Sequence, residues 1–473
     1  MDDEQASQTE DEVRSRARAK HAMRPRRRSL AIIAALASGV ALLVLALVLA
    51  SGRTDLRRNV AASPTPAPTD AAPVASPSAS ASPSPEPTAP SPIPTGRPAG
   101  GIEAYPLGAL RGEYAFVLNG GAITMPGTVA EVWAVPLAGG PPRLAARYVN
   151  ATTPATSTGE NVLARQFSPD GRRLVLSAAM PRAQGGERLS LFIVDLETAR
   201  VTPVGAEDAA DHEKPAWSPD GRRIAYVKRP IIGAGTTASG SDEGIWVMNV
   251  DGSGARKVAL PPAPAGMHFP AQTYLHSWTP DGRLAWFYQA AVTLTLTDID
   301  SGAHTEVRAA VGDVRGISFR TAVPRIAGSF SDRPGNCPGH YVAVLDGAPE
   351  RILVRAPERP QCPLRIHDVR WNPSRDEILY ILESTTNELH VHGLSGATHR
   401  VVSGADAVLA EWSSAGTHLL YIHRNAPDQV GRLPLRGGEL RSVLRDGSDD
   451  RTLFAPRAPA ALSEIAVRLY PQR

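Results

Sequence analysis

Short apolar runs, bounded by turn residues, recur along the chain after residue 105. In several of them every consecutive position is apolar, as in Leu191–Val194 and Ile245–Met248. A strand packed on one side alternates apolar and polar residues, whereas a strand buried on both faces is apolar throughout. The pattern therefore predicts many short strands that lie between two packed layers.

A second pattern places an aromatic residue before a turn, in the order aromatic-Ser/Thr-Pro-Asp-Gly. Proline presets the first turn position, aspartate bonds to nearby backbone, and glycine adopts positive φ. An apolar run follows each copy, so we predict that the aromatic residue packs inside and that the turn leads into a strand. The residues that define the near-intact copies are Phe167, Asp170 and Gly171, then Trp217, Asp220 and Gly221, then Trp278, Asp281 and Gly282, and weaker copies begin at Trp371 and Trp412.

The three aspartates of these copies have two interpretations. They could be repeated metal ligands, or they could tie the turns by bonding to the local backbone. The turn interpretation is favoured, because the sequence order of sialidase-type aspartate boxes is absent from the chain.

Turns rich in Gly or Asp also follow a strand seven times, at a spacing of about 50 residues. Examples are Val250–Gly252 and Ile299–Gly302. Repeats of this length with about four short strands each are typical of β-propeller blades. A remaining apolar segment, Ile465–Tyr470, has no repeat of its own, and we predict that it pairs with the first repeat near Tyr114–Leu118.

The phrase and the hairpins that follow it resemble the TolB-like β-propeller repeat, over roughly residues 105–450. The resemblance implies an all-β fold with seven blades preferred and six to eight possible. It also implies a protein-docking platform, or the non-catalytic portion of a prolyl oligopeptidase-type enzyme. TolB carries a small α/β domain before its propeller, and this chain has a Pro-rich segment in that place, so a Tol–Pal role is not implied.

Four regions are predicted along the chain: a disordered basic tail over 1–29, a transmembrane helix over 30–50, a disordered Pro/Ser/Ala/Thr-rich linker over 51–100, and the propeller over 101–473. Residues 30–50 carry no charge and would measure about 30 Å as a helix, one hydrocarbon thickness. A buried core helix or a cleaved signal peptide are the alternatives. Arginines cluster before this segment, which predicts a single-pass protein at the cell membrane, with a cytoplasmic N-terminus and an extracytoplasmic propeller.

Charge and cysteine content narrow the function. The chain has 50 basic and 47 acidic residues, which argues against nucleic acid as a partner. It has two cysteines, Cys337 and Cys362. They flank the predicted hairpin of His340–Leu345 and Arg351–Val354, so we predict a disulfide on the oxidising side of the membrane. Two unpaired buried thiols are the alternative.

The sequence contains no complete catalytic motif of the classes considered below. No Gly-x-Ser-x-Gly nucleophile elbow occurs, and Pro215 and Ala216 break the zinc-protease pattern that starts at His212. His390 and His392 share a strand face but need a third ligand to hold a metal. We therefore expect no catalytic, cofactor or metal residues.

The expected function is non-catalytic protein binding or scaffolding at the cell surface, with a protein or glycan as ligand. The alternative is a surface carbohydrate-binding protein, or an enzyme that uses the central channel of the propeller.

Overall fold

The structure is a computed structural model, and its described residues all belong to the second of two units of the chain, Pro85–Arg473. It describes residues 101–472 except for 121–127, 151–161, 182–186, 206–207, 209, 231–242, 262–272, 289–292, 309–313, 321–324, 333–338, 346–350, 358–363, 384–385, 397, 403–405, 424–437 and 457–461. The predictions for the tail, the membrane segment, the linker and both cysteines lie outside these residues. Among the described residues, no helix has the length and apolar character needed to cross a membrane.

The described strands form seven antiparallel sheets, numbered here along the chain. Sheet 1 begins with β1 (Ile102–Ala104), β2 (Gly112–Asn119), β3 (Thr128–Pro136) and β4 (Arg143–Asn150). Sheet 2 follows a short helix and comprises α1 (Val162–Gln166), β5 (Arg173–Pro181), β6 (Glu187–Asp195) and β7 (Val201–Val204). Sheet 3 contains β8 (Ala210–Trp217), β9 (Arg223–Pro230), β10 (Gly244–Asn249) and β11 (Arg256–Lys257).

The remaining sheets repeat the four-stranded pattern. Sheet 4 contains β12 (Thr273–Trp278), β13 (Leu284–Tyr288), β14 (Thr293–Thr297) and β15 (His304–Arg308). Sheet 5 contains β16 (Val314–Phe319), β17 (Ile326–Ser331), β18 (His340–Leu345) and β19 (Arg351–Arg355). Sheet 6 contains β20 (Arg365–Trp371), β21 (Glu377–Glu383), β22 (Glu388–Gly393) and β23 (Thr398–Val402). Sheet 7 contains β24 (Ala407–Trp412), β25 (His418–His423), β26 (Glu439–Leu444) and β27 (Arg451–Phe454), and β28 (Leu462–Tyr470) follows it.

The last strand closes the ring. β28 pairs with β2 in sheet 1, with Tyr114 opposite Arg468 and Val117 opposite Ile465. The pairing predicted for Ile465–Tyr470 is thus confirmed. Sharing one sheet between the two ends of the repeat array removes the open strand edges that would otherwise be exposed there.

Each sheet has one innermost element, and these elements form the inner ring: β28, α1, β8, β12, β16, β20 and β24. Sheets 3 to 7 begin on the inside with a strand. Sheet 2 differs, because its inner position is occupied by α1 and its sheet has three strands. The seven sheets around this ring make the fold a seven-bladed β-propeller, as predicted, with one helical inner element that the pattern did not predict.

The core lies between neighbouring sheets. On β6, Leu191 packs with residues of sheet 3, and the next residue, Phe192, packs with residues of sheet 1. On β10, Val247 and Met248 divide in the same way between the two neighbours of sheet 3. Two-sided burial explains why these runs are apolar at every position.

Candidate functional site

The repeated turns join each innermost element to the next strand. Their aromatic residues are all buried, with exposed fractions of 3% for Phe167, 5% for Trp217, 8% for Trp278, 6% for Trp371 and 2% for Trp412. Two indole nitrogens donate hydrogen bonds across sheet boundaries, from Trp278 to the Ala216 carbonyl at 3.1 Å and from Trp412 to the Arg370 carbonyl at 3.3 Å. Trp278 and Trp412 therefore link adjacent sheets of the ring.

The turn aspartates bond within their own turns. Asp220 Oδ1 accepts hydrogen bonds from Ser218 Oγ at 2.5 Å and from the Arg222 amide at 3.0 Å. Asp170 accepts the equivalent pair from Ser168 and Arg172, and Asp281 accepts from Thr279 Oγ1. Gly171, Gly221 and Gly282 complete these turns at positive φ. Among the described residues, no group of three or more His, Cys, Asp or Glu could hold a metal ion.

The surface formed by these turns is called the turn face here; it comprises 168–171, 218–221, 279–282, 372–375 and 413–416. It is braced between sheets. Asn372 Nδ2 donates to the Gly416 carbonyl at 3.0 Å, and Arg223 pairs with Asp300 at 3.1 Å. Tyr470, at the end of β28, donates its hydroxyl to the Gly171 carbonyl at 2.7 Å, so the closing strand ends on this face.

Leu469 is exposed at the edge of the turn face, next to Tyr470, whose hydroxyl reaches Gly171. Its exposed fraction is 64%, and the other exposed large hydrophobic residue of the described chain is Ile352 on β19, at 39%. Leu469 lies opposite Glu113 of β2, and Glu113 accepts a hydrogen bond from the Ser414 amide. This leucine therefore stands at the seam where sheet 1 meets sheet 7.

The helix α1 is held by β28. Glu464 Oε2 accepts a hydrogen bond of 2.5 Å from the Leu163 amide, and Arg468 donates to the Ala164 carbonyl. The Arg468 guanidinium also lies 4.7 Å from the Phe167 ring centroid and donates to the Val467 carbonyl at 2.7 Å. Burial lowers the pKa of Arg468, against the opposing effect of the charges on Tyr470 and Glu411.

Arg165 reaches from α1 to the inner strand of sheet 4. Its guanidinium donates to the carbonyls of Leu275, at 2.6 Å, and His276. Because β8 of sheet 3 stands between α1 and β12 in the ring, this side chain crosses the inside of the ring. His276 in turn lies beside Phe319 of sheet 5, with ring centroids 5.9 Å apart.

Arg370 on β20 forms two ion pairs. It lies 2.5 Å from Asp368 and 3.3 Å from Glu411 of β24. The second Asp368 oxygen accepts a 2.5 Å hydrogen bond from the Ala410 amide, which ties sheet 6 to sheet 7. Asp368 adopts a φ of 57° at the bulge of β20, a strained conformation that aims its side chain at this contact.

These six residues, Arg165, His276, Asp368, Arg370, Glu411 and Arg468, are called the axial cluster. They come from five of the seven innermost elements. Burial, together with the charges of Arg165 and Arg370, lowers the pKa of His276 to about 3. Burial raises the pKa of Asp368 to about 6, with Arg370 acting in the opposite direction. The cluster combines three arginines, two acidic residues and a histidine, an arrangement suited to binding a polar or charged group.

The histidines noted in the sequence lie elsewhere. His390 pairs with Glu388 at 3.0 Å and stacks on Tyr380, whereas His392 bonds to Thr398. His212 is buried beside Asp208 at 3.2 Å, and Asp208 also pairs with Lys228 at 2.8 Å. The structure brings none of the three into the axial cluster.

Sequence reasoning missed the axial cluster. A signal was available, because the residue directly before the motif aromatic is polar in several repeats: Gln166, Ser277, Ser318, Arg370 and Glu411. Two of these five, Arg370 and Glu411, belong to the axial cluster, so the recurring polar position was a signal for them.

No protein-family model matches the chain, and no curated protein matches it. Similar solved structures include TolB from Acinetobacter baumannii, 13% identical with a TM-score of 0.37, covering 76% of this chain and 67% of that one. They also include an acylaminoacyl peptidase from Pyrococcus horikoshii, 14% identical with a TM-score of 0.45, covering 74% of this chain and 51% of that one.

The propeller domain of the Trilobed protease from Pyrococcus furiosus is similar as well, at 11% identity and a TM-score of 0.44, covering 76% of this chain and 97% of that one. The resemblance read from the aromatic-Ser-Pro-Asp-Gly phrase is thus matched by TolB structures among those similar to the chain. The fold itself rests on the seven sheets described above.

Proposed function

We propose that the protein is a membrane-anchored, extracytoplasmic β-propeller that binds a partner protein through its turn face without catalysis. The observation that carries this proposal is Leu469, which is 64% exposed at the seam of sheets 1 and 7. A large apolar side chain exposed where the closing strand joins two sheets is available for contact with a partner protein.

The rigidity of the turn face supports the same function. Bonds such as Asn372 to Gly416 and Tyr470 to Gly171 join neighbouring sheets at this face. A braced face presents its contact residues in one arrangement, so the propeller loses little conformational entropy on binding.

The function is tested by placing a photo-crosslinking amino acid at position 469 of the full chain in cells. A discrete protein adduct is expected at 469 and not at 352, where Ile352 on the outer strand β19 is the matched exposed residue. Leu469→Asp should abolish copurification of the same partner, and Ile352→Asp should leave it intact. Equal adducts at both positions, or glycan binding with no adduct at 469, would overturn the proposal.

The membrane arrangement is a separate element of the proposal. It is supported by the uncharged residues 30–50 and by the arginines that precede them. Protease added to intact spheroplasts should release the propeller from the membrane. Full protection of the propeller would place it on the cytoplasmic side and refute this arrangement.

The disulfide between Cys337 and Cys362 belongs to the extracytoplasmic proposal. The described strands around them support it, because β18 and β19 pair with Tyr341 opposite Arg355, so the chain enters and leaves this hairpin at one edge. Denatured, unreduced protein should show no reactive thiol, and two thiols after reduction. Two thiols before reduction would rule the bridge out.

A further inference from the structure

Three arginines from three different sheets converge in the axial cluster. Arg165 comes from sheet 2, Arg370 from sheet 6 and Arg468 from the closing strand of sheet 1. Arg165 donates to the carbonyls of Leu275 and His276, and Arg468 donates to those of Val467 and Ala164. A backbone carbonyl accepts a hydrogen bond but carries no net charge that would neutralise a guanidinium. Arg370 and Arg468 both act on the same carboxylate, Glu411.

The carboxylates of the cluster are already engaged. Asp368 is 1% exposed and divides its oxygens between Arg370 and the Ala410 amide. Glu411 pairs with Arg370 at 3.3 Å, and its charge also acts on Arg468. Glu464 lies four residues before Arg468 on the same strand, a distance of about 13 Å along an extended chain. Its Oε2 accepts a hydrogen bond from the Leu163 amide, so Glu464 is engaged away from Arg468. The cluster therefore carries more positive than negative charge.

We propose that the axial cluster binds an oxyanion, a carboxylate or phosphate group, between Arg370 and Arg468 and beside His276. The inference rests on the proposed function: it names the chemistry that the propeller recognises in its ligand. Guanidinium groups hold such oxyanions with paired N–H donors, and the interior of the ring strengthens these charge-assisted bonds. Glu411 already pairs with Arg370, so an incoming anion competes with this carboxylate for the guanidinium.

The competition by Glu411 gives a test that a purely structural cluster would not pass. Removing the charge with Glu411→Gln should tighten oxyanion binding about threefold or more, because the incoming anion no longer displaces a carboxylate. Arg468→Gln and Arg370→Gln should each weaken binding about tenfold or more. If the arginines only brace the ring, the Glu411→Gln variant would bind the anion no more tightly than the native chain does.

Binding is measured by titration calorimetry on the full chain purified in detergent at low ionic strength. Succinate and inorganic phosphate are the two probes, and an acidic peptide bearing a free carboxylate is the third. Saturable binding of succinate and peptide but not phosphate assigns a carboxylate; the reverse assigns a phosphate. Arg400→Gln is the matched control. Arg400 is exposed and pairs with Glu388 on the outer part of sheet 6, so this substitution should leave the affinity for the probes unchanged.

His276 supplies an independent readout. An anion near the neutral imidazole should raise its pKa from about 3, against the effect of Arg165 and Arg370. The shift is visible in the ring-proton resonance of His276, assigned with His276→Gln, and it should vanish in Arg468→Gln. No saturable binding of any probe, by the native chain and by Glu411→Gln, would overturn the proposal.

Failure here is distinguishable from failure of the proposed function. A partner adduct at position 469 together with no oxyanion binding would leave protein binding in place and remove the axial site. Oxyanion binding with no adduct would keep the axial site and remove the protein partner.

Discussion

Sheets 2 and 3 contain the same turn but not the same inner element. The turns 168–171 and 218–221 match closely, with a 2.5 Å bond from serine to aspartate in each. The segment before the turn is the helix α1 in sheet 2 and the strand β8 in sheet 3. The conformation of the turn is thus determined by its own residues, whereas the conformation of the inner element depends on its contacts with other parts of the ring.

The difference between the two inner elements lies in their partners. β8 pairs with β9 through backbone bonds that any strand sequence can make. The backbone of α1 instead forms hydrogen bonds with two side chains of β28, Glu464 and Arg468. We therefore expect sheet 2 to depend on the closing strand far more than sheet 3 does.

The largest effect should come from removing β28. Deleting residues 462–473 exposes β2 and takes away both side chains that hold α1, so the melting temperature should fall by about 10 °C or more and oligomers should form. Hydrogen exchange should show α1 losing protection before β8. Deleting 471–473 alone is the control and should leave the melting curve unchanged. An intact α1 in the longer deletion would contradict the comparison.

A glycine series separates the turn from its surroundings. All three glycines have positive φ, so Gly282→Ala, with nothing near the added carbon, should cost about 1–2 kcal/mol. Gly221→Ala should cost slightly more, since the carbon meets Pro169 at 3.4 Å. At Gly171 the carbon would meet the Tyr470 hydroxyl at 3.2 Å and Arg468 at 3.3 Å, so we expect about 3 kcal/mol or more.

Urea unfolding of the three glycine variants measures the series. Equal losses of unfolding free energy in the three variants would mean that the contact of Gly171 with β28 adds nothing to the cost of placing alanine at positive φ. A larger loss at Gly282 than at Gly171 would reverse the interpretation.

Glu464→Ala tests the link to α1 without removing the strand. Loss of a buried charge-assisted bond should lower the free energy of unfolding by about 2 kcal/mol. Exchange of the Leu163 amide should accelerate, and exchange in β8 should stay at its native rate. Equal acceleration in both elements would show that Glu464 supports the whole ring instead of α1.

The smallest effect concerns acid, and here the two sheets should behave alike. The hydrogen bond from Ser218 lowers the pKa of Asp220; the pKa of Asp170 is lowered too, although burial opposes it, through Ser168 and the Arg172 amide. A lowered folded-state pKa contributes stability above the unfolded value of about 3.9, and this is lost as the pH falls through the folded value.

Asp220→Asn and Asp170→Asn should therefore be less stable than the native chain at pH 6, with the difference shrinking below pH 4. Urea unfolding across this pH range measures the convergence. A difference that persists at pH 2.5 would show that the carboxylate charge is not the source of the stabilisation.

Local chemistry explains what the sequence predicts well. The turns at Asp170 and Asp220 form from four adjacent residues, and two-sided burial of strands such as β6 leaves an apolar run that can be read directly. Ile465–Tyr470 could be assigned to the first sheet because it is an apolar strand left over after the repeats are counted. Each of these inferences uses only adjacent residues or the number of repeats, and none requires knowledge of side chains that are distant in sequence.

The helix and the axial cluster need that distant knowledge. Val162–Gln166 is only as long as a short strand, so its length does not identify it as a helix. Its backbone is held by Glu464 and Arg468, and Glu464 follows its partner Leu163 by 301 residues. A single arginine carries no signal in a chain with 50 basic residues. The cluster becomes visible only when the ring places Arg165, Arg370 and Arg468 together.

The position of β28 in the chain has a consequence for biosynthesis. This strand is made after every other described strand, yet it pairs with one of the first and holds α1 in place. During synthesis the repeats can form one by one, but the ring and the axial cluster exist only after residues 462–470 have emerged. Until that moment the nascent chain keeps an unpaired edge on β2, where chaperones and proteases can act on it. Completion of the ring thus depends on one late event, the docking of a single strand.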